Sequence, residues 1–201
     1  MARIPRQERS KAMTQAIVKA GFICISKRGM AATTTHHIAE VAGVSVGSLY
    51  EYFANKEAVF EAMTQQMLQE LVTLITDMTP RIIQMTVDEG IDHVLERFTD
   101  FLNKEGGFYL NAAKHILSSD AGQYMELPGK AIMEMIYRYL MSHPEYAKLP
   151  ELNAVIYIIT YGGISVVIRN LSSEAPYITY DELKRGIHAF VSSYFRGIES
   201  S

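Results

Sequence analysis

The sequence of 201 residues has few of the residues that stabilise secreted or disulfide-rich proteins. Its single cysteine, Cys24, cannot form a disulfide within the chain, which fits a reducing compartment. No apolar segment follows the basic residues at the N-terminus, so we expect no secretory signal. The sequence therefore predicts a cytoplasmic protein.

Motifs for catalysis and for metal or nucleotide binding are also scarce. An H-E-x-x-H zinc motif, a P-loop and a G-x-G-x-x-G turn are all missing. His36 and His37 are adjacent, so they point about 100 degrees apart on a helix, and no cysteine or carboxylate completes a ligand set. Residues 43–47 match the G-x-S-x-G pattern of serine hydrolases, but the residues before Ser45 read as helix rather than as the strand that this motif needs. We therefore expect no enzymatic activity, catalytic residue, metal or cofactor.

Long apolar runs are absent apart from residues 152–168, which are 17 uncharged residues. This length is close to that of a membrane span, and the β-branched residues with Gly162-Gly163 would also suit a hairpin. Asn153, Thr160 and the glycine pair interrupt the run, however, and strict alternation of apolar and polar residues is missing. We interpret the segment as a contact-making helix and expect no membrane association.

Charge is divided unevenly along the chain. Residues 1–60 contain eight Lys or Arg and four Glu, a net charge of +4, which leaves −7 for the remainder of a chain whose total is −3. A basic segment on an acidic body indicates a protein that holds a polyanion at one end.

Apolar residues recur at helical spacing through most of the sequence. A first helix over 8–28 should end at Gly29, and short helices over 38–42 and 46–52 would be joined by Gly43 as a helix-turn-helix. A longer helix should begin at Lys56 and stop at Pro80. The later helices are predicted at 88–104, 107–118, 121–142, 150–171 and 179–198.

Residues 10–60 resemble the DNA-binding region of TetR-family regulators, with the family's spacing throughout. The resemblance rests on residues 17–22, Arg28-Gly29 and the run from Thr33 to Glu57. It implies an all-α fold with a three-helix DNA-binding head, residues 1–55, and a ligand-binding and dimerisation body, residues 56–201. It also implies a homodimer that pairs the helices near 150–171 and 179–198 and reads palindromic double-stranded operator DNA.

The resemblance assigns roles to individual residues. Contacts to the DNA backbone fall to Thr34, Tyr50, Tyr52 and Lys56, and Gly47 would let the backbone approach DNA. Base reading falls to His36, Ser45, Val46 and Ser48. Val46 replaces the polar residue often found there and Glu51 adds a negative charge, so the operator sequence stays open. Arg3, Arg6 and Arg9 would either enter the minor groove or form a disordered tail.

Aromatic and methionine side chains suggest a pocket for a small lipophilic or aromatic effector. The candidates, each of which would equally suit a plain core, are Phe101, Phe108, Tyr109, Tyr124, Met133 and Tyr137. By the family analogy, effector binding releases DNA, so a repressor is expected and an activator stays open. The rival interpretations are a helical enzyme or small-molecule carrier, and an adaptor that uses the helix-turn-helix to bind a protein.

Overall fold

The computed structural model describes residues 6–118 and 122–196, so Arg3 and its expected place in the minor groove lie outside the described residues. These residues form helices and short 3-10 turns and contain no strand, which confirms the all-α prediction. The helices, in chain order, are α1 (Arg6–Arg28), α2 (Thr35–Ala42), α3 (Val46–Tyr50), α4 (Lys56–Ile82), α5 (Val87–Leu102), α6 (Phe108–Ser118), α7 (Glu126–Ser142), α8 (Leu152–Leu171) and α9 (Tyr180–Arg196).

The helix boundaries follow from local capping, as the sequence predicts. Gly29 ends α1 with φ of +77°, and Gly43 ends α2 with φ of +71°, a left-handed conformation that glycine adopts at little cost. Asn55 caps α4, because its Oδ1 accepts a hydrogen bond of 2.8 Å from the N–H of Ala58. At α9, Thr179 and Glu182 form the expected capping box, in which each side chain accepts from the other's backbone N–H.

The prediction that α4 stops at Pro80 is wrong, since the helix continues to Ile82. Proline lacks the N–H that would bond to the carbonyl of Thr76, so one helical hydrogen bond is lost there. The loss is offset by packing, because Ile82 is buried beside Ile75 and the α7 residues Met135 and Tyr139. The expected helix over 121–142 also begins later, at Glu126, after a 3-10 turn over Gly122–Met125.

The chain forms two compact units. The first unit comprises residues 1–67 and 103–109, and the second comprises residues 68–102 and 110–201. In the first unit, Phe22 of α1 lies edge-on to Phe108 and Tyr109, with ring centroids 5.3 Å and 5.7 Å away. Aromatic pairs in this geometry stabilise a core beyond the area they bury. Residues 103–109 are therefore part of the packing of α1.

In the second unit, Asp88 at the start of α5 joins that helix to α9. Its carboxylate accepts a hydrogen bond from the hydroxyl of Ser192 and lies 3.6 Å from His188 Nε2 and 3.4 Å from the guanidinium of Arg196. The Ser192 hydrogen bond is the main cause that lowers the pKa of Asp88, followed in the same direction by the positive charge of Arg196. This network fixes the pairing of α5 with α9.

Helix α8 is strongly apolar, although most of its residues are not buried in the single chain. It is long and apolar enough to cross a membrane by length and composition, with a mean hydropathy of 1.5, yet only 22% of that stretch is buried within the single chain. Large apolar side chains that reach solvent include Tyr157, Ile158 and Val166. The second unit thus has an uncovered apolar helix.

Candidate nucleic-acid interface

The turn between α2 and α3 is built by Gly43. Its N–H donates to the carbonyl of Glu40, and the N–H of Val44 donates to the carbonyl of Ala39, which closes the end of α2. Ser45 then caps the N-terminus of α3. One side of both helices is buried through Ile38, Ala39 and Leu49, so the opposite side faces solvent. This is the arrangement of a helix-turn-helix, as predicted.

Thr34 and His36 lie exposed at the start of α2. Thr34 is the N-cap, and its hydroxyl oxygen accepts from the N–H of His37 at 3.3 Å. The N-terminus of a helix carries free N–H groups and the positive end of the helix dipole, which together attract phosphate. Thr34 therefore lies at a helix end that is suited to binding an anion.

Ser45, the N-cap of α3, and Ser48 within α3 are hydrogen-bonded to each other. The hydroxyl of Ser45 accepts from the N–H of Ser48 at 2.9 Å and donates to the Ser48 hydroxyl at 2.9 Å. Because Ser45 is used in capping, the hydroxyl of Ser48 is the freer of the two for a base edge. Gly47 is exposed between them, and Val46 is half-buried.

Tyr50 is the largest exposed side chain of α3, with 51% of its surface accessible. Its hydroxyl lies 3.3 Å from Oγ1 of Thr35, the first residue of α2. Sequence reasoning missed Thr35, because nothing in a separation of 15 residues signals contact between the two hydroxyls. The bond ties α3 to the helix N-terminus where phosphate is expected.

Tyr52 and Lys56 complete the predicted set. Tyr52 is half-buried, and its N–H donates to the carbonyl of Leu49. Lys56 opens α4, with its ammonium nitrogen 5.5 Å from the centre of the Phe60 ring. The nine predicted DNA contacts thus lie within residues 34–56, all in the first unit.

The six predicted effector contacts do not gather in one unit. Phe108 and Tyr109 are fully buried against Phe22 in the first unit. In the second unit, Phe101 is fully buried, Tyr124 and Met133 are half-buried, and Tyr137 is exposed. The hydroxyl of Tyr137 donates to Oδ1 of Asn153 at 3.4 Å. Three of the six, Phe101, Phe108 and Tyr109, are therefore fully buried in packed cores.

An open cleft of about 360 Å³, lined by charged and titratable residues, lies on α5 and α9, and sequence reasoning did not identify it. Its lining residues are Asp92, Asp181, Lys184, Arg185 and His188. Lys184 is already paired with Asp181 at 3.0 Å. Within residues 6–118 and 122–196, no group of three or more His, Cys, Asp or Glu side chains could hold a metal ion.

Known proteins match part of the chain in sequence. Residues 17–63 match the model of the bacterial regulatory proteins, tetR family. The nucleoid occlusion factor SlmA of Haemophilus influenzae is 33% identical over 98 residues, which cover 49% of this chain and 44% of that protein. The chain thus spans about half the length of the curated relatives it matches.

Solved structures match almost the whole chain in fold. A TetR/AcrR-family transcriptional regulator from Thermobifida fusca superposes with a TM-score of 0.61 at 19% identity, over 93% of this chain and 98% of that chain. The TetR-family repressor AlkX from Dietzia sp., implicated in biodegradation of n-alkanes, gives a TM-score of 0.58 at 20% identity, over 92% and 97%. Residues 17–63, which contain the helix-turn-helix, thus match the bacterial regulatory proteins of the tetR family in sequence, and the chain shares the fold of TetR-family regulators.

Proposed function

We propose that the chain is a repressor that binds a palindromic DNA operator as a homodimer and releases it when a small lipophilic or aromatic effector binds. The observation that carries the proposal is the exposed surface of α2 and α3, where Tyr50 is tied to Thr35 at a helix N-terminus. An exposed tyrosine held by its own hydroxyl is oriented for a partner outside the chain. Phosphate suits that position, because Thr34 and the first N–H groups of α2 lie beside it.

The homodimer is supported by the apolar surface of α8. A soluble protein rarely leaves a large contiguous apolar patch in water, and such patches mark interaction sites. Tyr157 and Ile158 on α8 and Phe190 on α9 are all more than half exposed, and α8 packs against α9 in the same unit. A second copy that covers these helices about a two-fold axis would remove this surface from water.

The effector response is supported by the course of α4. Its residues up to Met67 belong to the first unit, and those from Leu68 belong to the second. An effector bound in the second unit that displaced α4 would therefore move Lys56 at the first turn of the same helix. The effector can release DNA only if it binds the conformation that cannot bind DNA more tightly than the conformation that can. We propose a cytoplasmic regulator without enzymatic activity, and an activator in place of a repressor would use the same surfaces.

The second candidate is a nucleoid occlusion factor, because the curated relatives carry that name and share about half of the chain. A repressor and a nucleoid occlusion factor would both bind DNA, so the two roles are distinguished by their effects in the cell. A deletion strain stained for DNA would show division septa across nucleoids if the chain has that role. Normal septum placement with altered transcription would favour the repressor.

Tyr50→Phe and Lys56→Ala are each expected to weaken operator binding by about 30-fold. Each removes one phosphate contact per head, worth about 1 kcal/mol, and a dimer loses it twice. Lys56→Ala should also make the slope of log K against log salt concentration shallower, by about one to two units for the dimer. Tyr50→Phe removes no charge and should leave this slope unchanged. Fluorescence anisotropy with the duplex upstream of the chain's own gene, at two salt concentrations, measures both effects.

Matched controls separate these losses from general damage. Tyr177→Phe removes the hydroxyl of a fully exposed tyrosine in the second unit, and Lys148→Ala removes a lysine charge there. Both should bind like the wild type. A folded wild-type protein that binds no duplex at low salt would contradict the proposal and favour a carrier or an adaptor.

A further inference from the structure

The helix-turn-helix has no permanent positive charge. Residues 29–55 contain neither lysine nor arginine, while Glu40 and Glu51 are exposed within them. Binding to duplex DNA normally draws on cationic side chains, which displace counterions from the phosphates. In this protein the permanent cations flank the motif, at Arg28 and Lys56. Any positive charge within the motif must therefore come from a side chain other than lysine or arginine.

His36 is the group that can supply this charge. It is exposed, two residues after the N-cap Thr34, and therefore lies at the helix end where phosphate is expected. Imidazole is the side chain whose charge ordinarily changes between about pH 5 and 8. A phosphate bound at this helix end favours a positive imidazole. DNA and a proton on His36 thus stabilise each other.

His37 is a poor candidate for the same role, although it is adjacent. Its Nδ1 is buried and has no hydrogen-bond partner among the described residues. Protonation of the ring would place an N–H on that atom, and a buried donor without an acceptor is costly. The chain therefore provides a matched control of the same residue type on the same helix.

Other charged and titratable groups surround α2. They are Lys27, Arg28 and Cys24 on α1, Glu40 on α2 itself, and Tyr50 and Glu51 at the end of α3. Burial raises the pKa of the Cys24 thiol, so this group stays neutral across the same pH range. Carboxylates, tyrosines, lysines and arginines ordinarily do not change charge between about pH 6 and 8.

We propose that His36 of each head becomes more protonated when DNA binds, so that each head takes up a fraction of a proton. The proposal rests on the proposed DNA-binding function. Because the bound state holds more protons than the free state, the affinity for DNA rises as pH falls, and alkaline conditions weaken it. The protein would thus respond to pH through the same surface that contacts DNA.

The test is fluorescence anisotropy with a mixed-sequence duplex of about 30 base pairs at low salt, between about pH 6 and 8. The Kd of the wild type is expected to be about tenfold lower at the acidic end. His37→Gln should keep this dependence, and His36→Gln should reduce it to about twofold or less. Circular dichroism at each pH checks that every variant stays folded.

His36→Lys provides a gain of function that unfolding cannot imitate. A permanent cation at this position should bind DNA at about pH 8 as tightly as the wild type does at about pH 6, with little remaining pH dependence. Wild-type binding that does not change with pH, or a dependence that disappears in His37→Gln and persists in His36→Gln, would overturn the proposal. A wild type that binds no duplex at any pH contradicts the DNA-binding function itself.

Discussion

Ile158→Glu is expected to convert a dimer into a monomer, because Ile158 lies on the apolar side of α8 that we propose a second copy covers. The side chain is 58% exposed in the single chain, and α8 as a whole is mostly uncovered. A glutamate there would be transferred from water into an apolar interface, at a cost of several kcal/mol if it finds no partner. A two-fold interface contains the substitution twice, so the Kd of the dimer should rise by about 100-fold or more.

Met141→Glu is the matched control for this substitution. Met141 is 83% exposed at the end of α7, so a charge is added there to an apolar side chain that already faces water. Sedimentation velocity at micromolar concentration should show a dimer for the wild type and Met141→Glu, and a monomer for Ile158→Glu. A monomeric wild type, or an Ile158→Glu protein that stays dimeric, would show that α8 is not the interface.

Loss of the dimer should also reduce DNA binding. Two linked heads on a palindrome gain effective concentration, which raises the overall affinity by about 100-fold or more over one head. Ile158→Glu should therefore weaken operator binding strongly, although the substitution lies in the second unit. Binding that is unchanged in a proven monomer would mean that one head is sufficient.

Local features of the fold were predictable from the sequence because their causes lie within a few residues. Gly29 and Gly43 end helices through left-handed backbone, and Asn55 and Thr179 begin helices through their own side chains. These effects depend on neighbours three or four positions away, which the sequence displays directly. The helix order of the TetR fold follows from such signals.

Features that depend on distant contacts were not predictable in the same way. Helix α4 continues past Pro80 because Ile82 finds a buried place beside residues of α7, more than 50 positions later. The bond between Thr35 and Tyr50 and the network around Asp88 likewise join separate helices. Apolar spacing reveals that a side chain is buried, but not which element covers it.

The DNA contacts and the effector contacts differ for the same reason. The predicted DNA contacts lie on one short segment with a fixed geometry, so their positions follow once the helix-turn-helix is recognised. The effector contacts were predicted from residue type alone, and Phe108 and Tyr109 pack against Phe22 in the first unit. An aromatic side chain suits a core and a ligand pocket equally, so composition could not separate them.

The packing of residues 103–109 on α1 leads to a second large expected effect, at Gly106. This residue has φ of +61°, and a Cβ added to it would lie 2.6 Å from the Cα of Ser26. Gly106→Ala should therefore combine backbone strain with a clash against main-chain atoms that cannot rotate away. We expect a loss of about 2–4 kcal/mol in the free energy of unfolding, measured by urea denaturation.

Gly29→Ala separates the two causes. Gly29 also has a positive φ, +77°, but an added Cβ would meet no atom within 4 Å. This variant should lose only about 1 kcal/mol, the cost of left-handed backbone for alanine. The difference between the variants then measures how closely residues 103–109 approach α1. Equal losses would mean that the segment yields without cost, and the contact of Phe22 with Phe108 and Tyr109 would not hold it in place.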